Sequence, residues 1–153
     1  MESYSHGLFE VSGYRITIEN PERERETIMS AWKLWFTENM ENLVIDKEYP
    51  TLHAVYYNYH DQLDRTRKGY DMLIGYITKT GITQTNPQIT TIQIPAQDYR
   101  YTTLDDISPE SIFSTWNTIN STPASELARN YGYDLDMYNE THTGMTIAVS
   151  VNE

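Results

Sequence analysis

FEVSGYRITIENPERERETIMSAWKLWFTENMENL, residues 9–43, carries both of the periods that build the fold. As far as residue 19 the chain alternates, with Phe9 and Val11 and then, past an irregularity at Gly13, Ile16 and Ile18; this is the period-two pattern of a strand. Asn20 and Pro21 end the run. Asn20 is placed as a helix N-cap and Pro21 at the first helical position, and Glu22, Glu24 and Glu26 lie where the positive end of a helix dipole favours acids. Ile28, Trp32, Trp35, Phe36, Met40 and Leu43 follow at separations of four, three, one, four and three, which places them on one helical face.

Beyond this unit, residues 52–60 and 70–78 read as an antiparallel pair of strands, joined by a charged turn over 61–69 that holds Arg65, Arg67 and Lys68. A polar, turn-rich stretch at 80–87 separates them from extended runs at 89–95 and 99–103, with a bend at Pro95-Ala96. Ser108-Pro109-Glu110 then opens a second helix with a capping hydroxyl, a proline and an acid, and its apolar face is Ile112, Phe113, Trp116 and Ile119. A turn from Thr122-Pro123 carries Leu127, and Tyr131-Gly132 releases the chain into closing strands at 133–139 and 145–151. Strand, helix, strand, strand therefore occurs twice, over about 9–79 and about 89–151, without repetition of sequence. Two helices among so many strands predict an α+β fold: a duplicated strand-helix-strand-strand unit whose antiparallel sheet carries both helices on one side.

At 153 residues the chain fits one domain spanning 1–153. Its net charge of -11 repels phosphate backbones and acidic membrane surfaces, so no direct nucleic-acid or membrane contact is expected, and cationic partners are favoured. The absence of cysteine removes disulfides, thiolate nucleophiles and thiolate metal ligands. No apolar run approaches the roughly 20 residues of a membrane span, and residues 1–6 lack the sections of a signal peptide, so a cytoplasmic protein is expected. His6, His53, His60 and His142 have no metal-binding spacing and read as surface or strand-packing residues. Neither a Gly-rich phosphate loop nor a Gly-x-Ser-x-Gly elbow is present, so neither a cofactor nor a catalytic residue is assigned.

The chemistry of the chain concentrates at Leu135-Asp136-Met137-Tyr138. Strand alternation puts Leu135 and Met137 on one face and Asp136 with Tyr138 on the other. A carboxylate among bulky side chains must be paired, protonated or placed for a positively charged ligand, because isolated burial of the charge is costly.

The order of these elements, together with Ile94-Pro95-Ala96-Gln97-Asp98-Tyr99, the helix opening at 108–116, Leu135-Asp136-Met137-Tyr138, and Gly69-Tyr70-Asp71 ahead of Leu73-Ile74-Gly75, resembles the GyrI-like family, the effector-binding domain of many bacterial AraC-type transcription activators. The resemblance covers about residues 9–151. It implies a central cleft between the two units, in which bulky aromatic cations, drugs among them, are held by a buried acid. The family's acid is usually glutamate; here the position is Asp136, so a ligand must approach one methylene closer or be bridged by water. No helix-turn-helix module is expected, and the chain is similar to stand-alone members carried on integron gene cassettes.

Read with that resemblance, the ligand-binding residues are Asp136, Tyr138, Trp32, Trp35, Tyr56, Tyr101 and Trp116. The three tryptophans come from the two helices and are either walls of the cleft or core; of Trp32 and Trp35, one is expected to touch ligand. In the strand at 52–60, Tyr56 shares a face with Ala54 and Asn58, while Tyr57 and Tyr59 share the other with Val55. The leading expectation is non-enzymatic binding of hydrophobic, cationic aromatic molecules. Two alternatives stay open: a hydrolase using the cleft carboxylate with Tyr138 or Tyr101, and a protein that acts by interaction, as an inhibitor or as the partner of a separate DNA-binding regulator chain. Homodimerisation is not decided by the sequence.

Overall fold

A computed structural model describes residues 1–19, 21–60 and 69–152. In chain order the elements are β1 (Glu2–His6), β2 (Phe9–Ile18), α1 (Glu24–Thr37), β3 (Lys47–His60), β4 (Gly69–Thr78), β5 (Thr90–Ile94), β6 (Gln97–Leu104), α2 (Pro109–Ser121), β7 (Asp134–Tyr138) and β8 (Met145–Val151). Among the described residues the eight strands form one antiparallel sheet in the order β1-β6-β8-β7-β3-β4-β2-β5, an α+β architecture as the element pattern predicts. β2-α1-β3-β4 and β6-α2-β7-β8 are the two like units. They meet at the middle of the sheet, where β3 pairs with β7 and Ala54 faces Asp136. No helix among the described residues is long and apolar enough to cross a membrane.

Both helices cover one side of the sheet. Ile28, Ala31 and Trp35 of α1 and Trp116 and Ile119 of α2 are buried against Leu52, Ala54, Tyr56, Met72, Ile74 and Ile147. The opposite side has its own core of Phe9, Val11, Val55, Leu73, Ile94, Tyr99, Leu135 and Ala148, none of it helical. The connectivity accounts for this burial. Each edge strand belongs to the far end of the sheet: β1 pairs with β6, whereas its successor β2 pairs with β4 and β5. Only two residues separate β1 from β2, and two separate β5 from β6, so the sheet ends are drawn together and its curl encloses the second core. Gly13 and Gly75 permit the close approach of β2 and β4: a Cβ on Gly13 would lie 1.9 Å from the Ile74 carbonyl oxygen, and one on Gly75 2.1 Å from that of Ser12.

Several boundaries differ from the sequence expectation for identifiable reasons. The first helix stops at Thr37; Asn39 takes a left-handed conformation with φ of 50°, which asparagine tolerates, and Met40–Leu43 forms a separate 3₁₀ turn that returns Met40 to the core. A 3₁₀ turn at Pro21–Arg23 precedes α1, whose N-cap position is Arg23, without a side-chain capping bond. The expected cap Asn20 and the charged residues Arg65, Arg67 and Lys68 lie outside the described residues. α2 begins as read, with Ser108 Oγ accepting from the Ser111 N–H at 3.3 Å. β1 was not expected, since one buried-face tyrosine in a polar pentapeptide carries almost no alternation signal.

β3 contains the most consequential deviation. Asn58 has φ of 57° and the β3–β4 register shifts between Tyr57 and His60. This bulge sends Asn58 to Asp71, at 3.0 Å, and turns Tyr59 onto the helix-covered side with Tyr56, instead of leaving it with Val55 and Tyr57.

Candidate functional site

A cavity of about 310 Å³ lies between α1, α2 and the centre of the sheet, at the lower end of the range of about 300 to 1,000 Å³ typical of small-molecule sites. β3 and β7 supply its floor through Leu52, Tyr56, Asp136 and Tyr138. One wall is the stripe Glu24, Ile28, Met29, Trp32 and Phe36 of α1, and the other is Pro109, Ile112, Phe113, Trp116, Asn117 and Asn120 of α2, each at helical spacing. Tyr70, Ile107 and His142 complete it. The lining is mostly aromatic or aliphatic, with a carboxylate at its base.

Asp136 is 1% exposed. Its two oxygens are held separately, Oδ2 by the Tyr56 hydroxyl at 2.6 Å and Oδ1 by the Trp116 indole N–H at 3.1 Å. These donors come from β3 and α2, so one carboxylate ties the sheet centre to the helix wall. Their rings meet edge to face at 5.4 Å, and Tyr56 makes a similar contact with Tyr70 at 6.0 Å. Across the cleft Trp32 stands edge-on to Tyr138 at 5.4 Å and stacks with Phe36 at 6.0 Å. Burial, and then the negative charge of Asp136, push the phenols of Tyr56 and Tyr138 well above the usual tyrosine range, so both keep their protons, and Tyr56 donates its own to the carboxylate.

The neighbouring acid is neutralised differently. Asp134 and Asp136 share a strand face, but Asp134 is ion-paired at 2.7 Å with Arg129, both side chains being fully buried. It also accepts from the Tyr59 hydroxyl at 2.6 Å and the Ser150 backbone N–H at 2.9 Å. Arg129 reaches onward to Asn120 Oδ1 at 2.7 Å and lies 4.5 Å from the Tyr131 ring centre. Its guanidinium is 5.9 Å from the Trp116 ring, behind the cleft wall.

Of the residues selected from sequence, Asp136, Tyr138, Trp32, Tyr56 and Trp116 come together around this cavity. Trp35 and Tyr101 do not line it. Trp35 is 1% exposed and packs toward Tyr76, because the rotation of α1 points Trp32 at the cleft and Trp35 at the sheet. Tyr101 belongs to the other side of the sheet, where its hydroxyl donates to Glu2 at 2.6 Å and its ring meets Tyr4. Sequence reasoning missed Tyr70, Phe113 and Phe36 as lining residues and read His142 only as surface or packing. The alternation Tyr70, Met72, Ile74, Tyr76 and the spacing of Phe113 from Trp116 were the available signals. Among the described residues no cluster of three His, Asp or Glu side chains could hold a metal ion.

Residues 8–151 match the family described as integron-associated effector binding protein. No curated protein matches the chain in sequence. Among solved structures, an integron cassette protein from the mobile metagenome of Vibrio cholerae is 18% identical with a TM-score of 0.75, over 99% of this chain and 95% of that one. SAV2435, solved bound to tetraphenylphosphonium, is 10% identical with a TM-score of 0.79, over 99% and 93% respectively. EcmrR in a complex with DNA is 9% identical with a TM-score of 0.60; this chain is covered to 99% and spans 57% of EcmrR. At these identities the structural likenesses establish the fold.

Proposed function

The chain belongs to the integron-associated effector binding protein family, which makes it a small-molecule binder, and from that premise we propose that it captures hydrophobic aromatic cations in the cleft above Asp136. The observation that carries this reading is the placement of one carboxylate, oriented by Tyr56 and Trp116, at the base of an aromatic cavity. Ring faces supply area and quadrupole attraction, about 0.5 to 2 kcal/mol for each cation-π contact, and the carboxylate supplies the opposite charge. The net charge of -11 raises the local concentration of cations around the molecule. The lining is mostly apolar and aromatic, so ligands are sorted by size, aromaticity and charge, which gives broad specificity. The tetraphenylphosphonium bound by SAV2435 is the kind of molecule this cleft would take.

The test is a titration followed by tryptophan fluorescence, since Trp32 and Trp116 line the cavity. Tetraphenylphosphonium binds with a micromolar Kd, about -8 kcal/mol, and a neutral aromatic compound of similar size binds more weakly. Asp136→Asn keeps the shape and removes the charge, and lowers affinity about tenfold or more, the value of one lost charge interaction of ~1.4 kcal/mol. Equal affinity of the variant and the wild type for the cation would overturn the role of Asp136.

A further inference from the structure

We propose that Arg25 is a latch across the entrance of the cleft and that ligand enters by release of the N-terminal end of α2. The proposal rests on the cleft being a ligand site. α2 is held at its two ends in unequal ways. Toward its C-terminal end, Asn120 accepts from Arg129 at 2.7 Å, and Arg129 is in turn ion-paired with Asp134 in a fully buried setting. Trp116, one turn earlier, is tied to Asp136. That end is anchored in the core.

At the other end Ile112 and Phe113 are only partly buried against the core, and the polar hold is exposed. Arg25 of α1 lies 3.6 Å from Glu110 Oε1, with side-chain exposures of 57% and 80%. Its guanidinium carbon is 4.7 Å from the centre of the Phe113 ring. Phe113 lines the cavity, as do Glu24 and Pro109, the chain neighbours of the two charged partners, whereas Arg25 itself does not. Arg25 therefore links the two walls from outside the cavity lining, beside Glu24, Pro109 and Phe113. Solvent-exposed ion pairs and cation-π contacts are weak and break readily, while loss of a partner from a buried pair is strongly unfavourable. The wall opens where it is weakest, at the Arg25 end, with the Arg129 end as pivot. Arg25 is a positioning residue in this scheme: it sets how fast ligand exchanges rather than how tightly it is held.

Stopped-flow fluorescence with tetraphenylphosphonium reads the latch directly. In Arg25→Gln both association and dissociation speed up about three- to tenfold, the equivalent of losing an exposed cation-π contact with its ion pair, and Kd moves less than about twofold. Glu110→Gln also speeds release, and the double variant is no faster than Arg25→Gln, because both substitutions break one device. Added salt accelerates release from the wild type and not from Arg25→Gln. An unchanged unfolding midpoint in Arg25→Gln separates this from a general loosening of the fold. Release from Arg25→Gln within twofold of wild type, or effects of the two substitutions that multiply, overturns the latch. Wild-type protein that fails to bind the probe defeats the ligand site and the latch together.

Discussion

Tyr56→Phe deletes one oxygen atom from the centre of the molecule and little else. The hydroxyl donates at 2.6 Å to a carboxylate that is 1% exposed, while the ring contacts with Tyr70 and Trp116, at 6.0 and 5.4 Å, do not involve it. A hydrogen bond to a charged group is worth about 1.5 to 3 kcal/mol, and the buried Oδ2 then loses a donor that the other side of the carboxylate, served by Trp116, does not replace. The expected loss is about 2 kcal/mol of unfolding free energy, a fall in Tm of about 4 to 8 °C for a chain of this length. In an Asp136→Asn background the same substitution costs about 1 kcal/mol, because the acceptor is then a neutral amide. Urea unfolding of the four proteins measures the coupling, with the m-value unchanged. A loss below about 0.5 kcal/mol in the wild-type background would refute the idea that Tyr56 compensates a desolvated charge.

Two further outcomes concern groups away from the ligand. His53 is 3% exposed, with Nδ1 2.9 Å from the Thr51 carbonyl oxygen, and burial drives its pKa down to about 4. Since an unfolded histidine titrates near 6.5, the unfolded chain binds the extra proton first; the contribution to stability is complete above about pH 6.5 and is lost as the pH falls toward 4, by ~3 kcal/mol in all and about 2 kcal/mol at pH 5. Denaturation at pH 7 and pH 5 should show His53→Gln losing about 2 kcal/mol less between the two pH values than the wild type, and equal losses would contradict the assignment. Arg129→Met strands Asp134 in the core and destabilises by about 3 to 5 kcal/mol, whereas adding Asp134→Leu to it recovers most of that loss; a double variant as unstable as the single would show that the ion pair is not the source.

Much of the cleft is legible in short stretches. Alternation over residues 135–138 needs only strand geometry, so the shared face of Asp136 and Tyr138 follows from four residues, and the burial of Asp136 with Tyr138 on the helix-covered side agrees with it. The helix at 109–121 follows from its cap, its proline and its apolar spacing in the same way. Edge strand β1 and the fate of Tyr59 are not legible, because the first is decided by pairing with a strand more than ninety positions away and the second by one left-handed residue, Asn58.

By itself the sequence determined the order of strands and helices from residue 9 onward, the α+β class and the face on which the acid stands, all consequences of periods that repeat within a single element. Only the tertiary structure decided that Trp32 rather than Trp35 lines the cleft, that Tyr101 lies on the far side of the sheet, and that Arg129 neutralises Asp134 while Tyr56 and Trp116 orient Asp136. Trp32 and Trp35 lie in one apolar stripe, and which edge of it meets the cavity depends on how α1 is rotated against the sheet. The donors to Asp136 are 80 and 20 residues away along the chain. Periodicity names a face, but packing between distant elements chooses what that face meets.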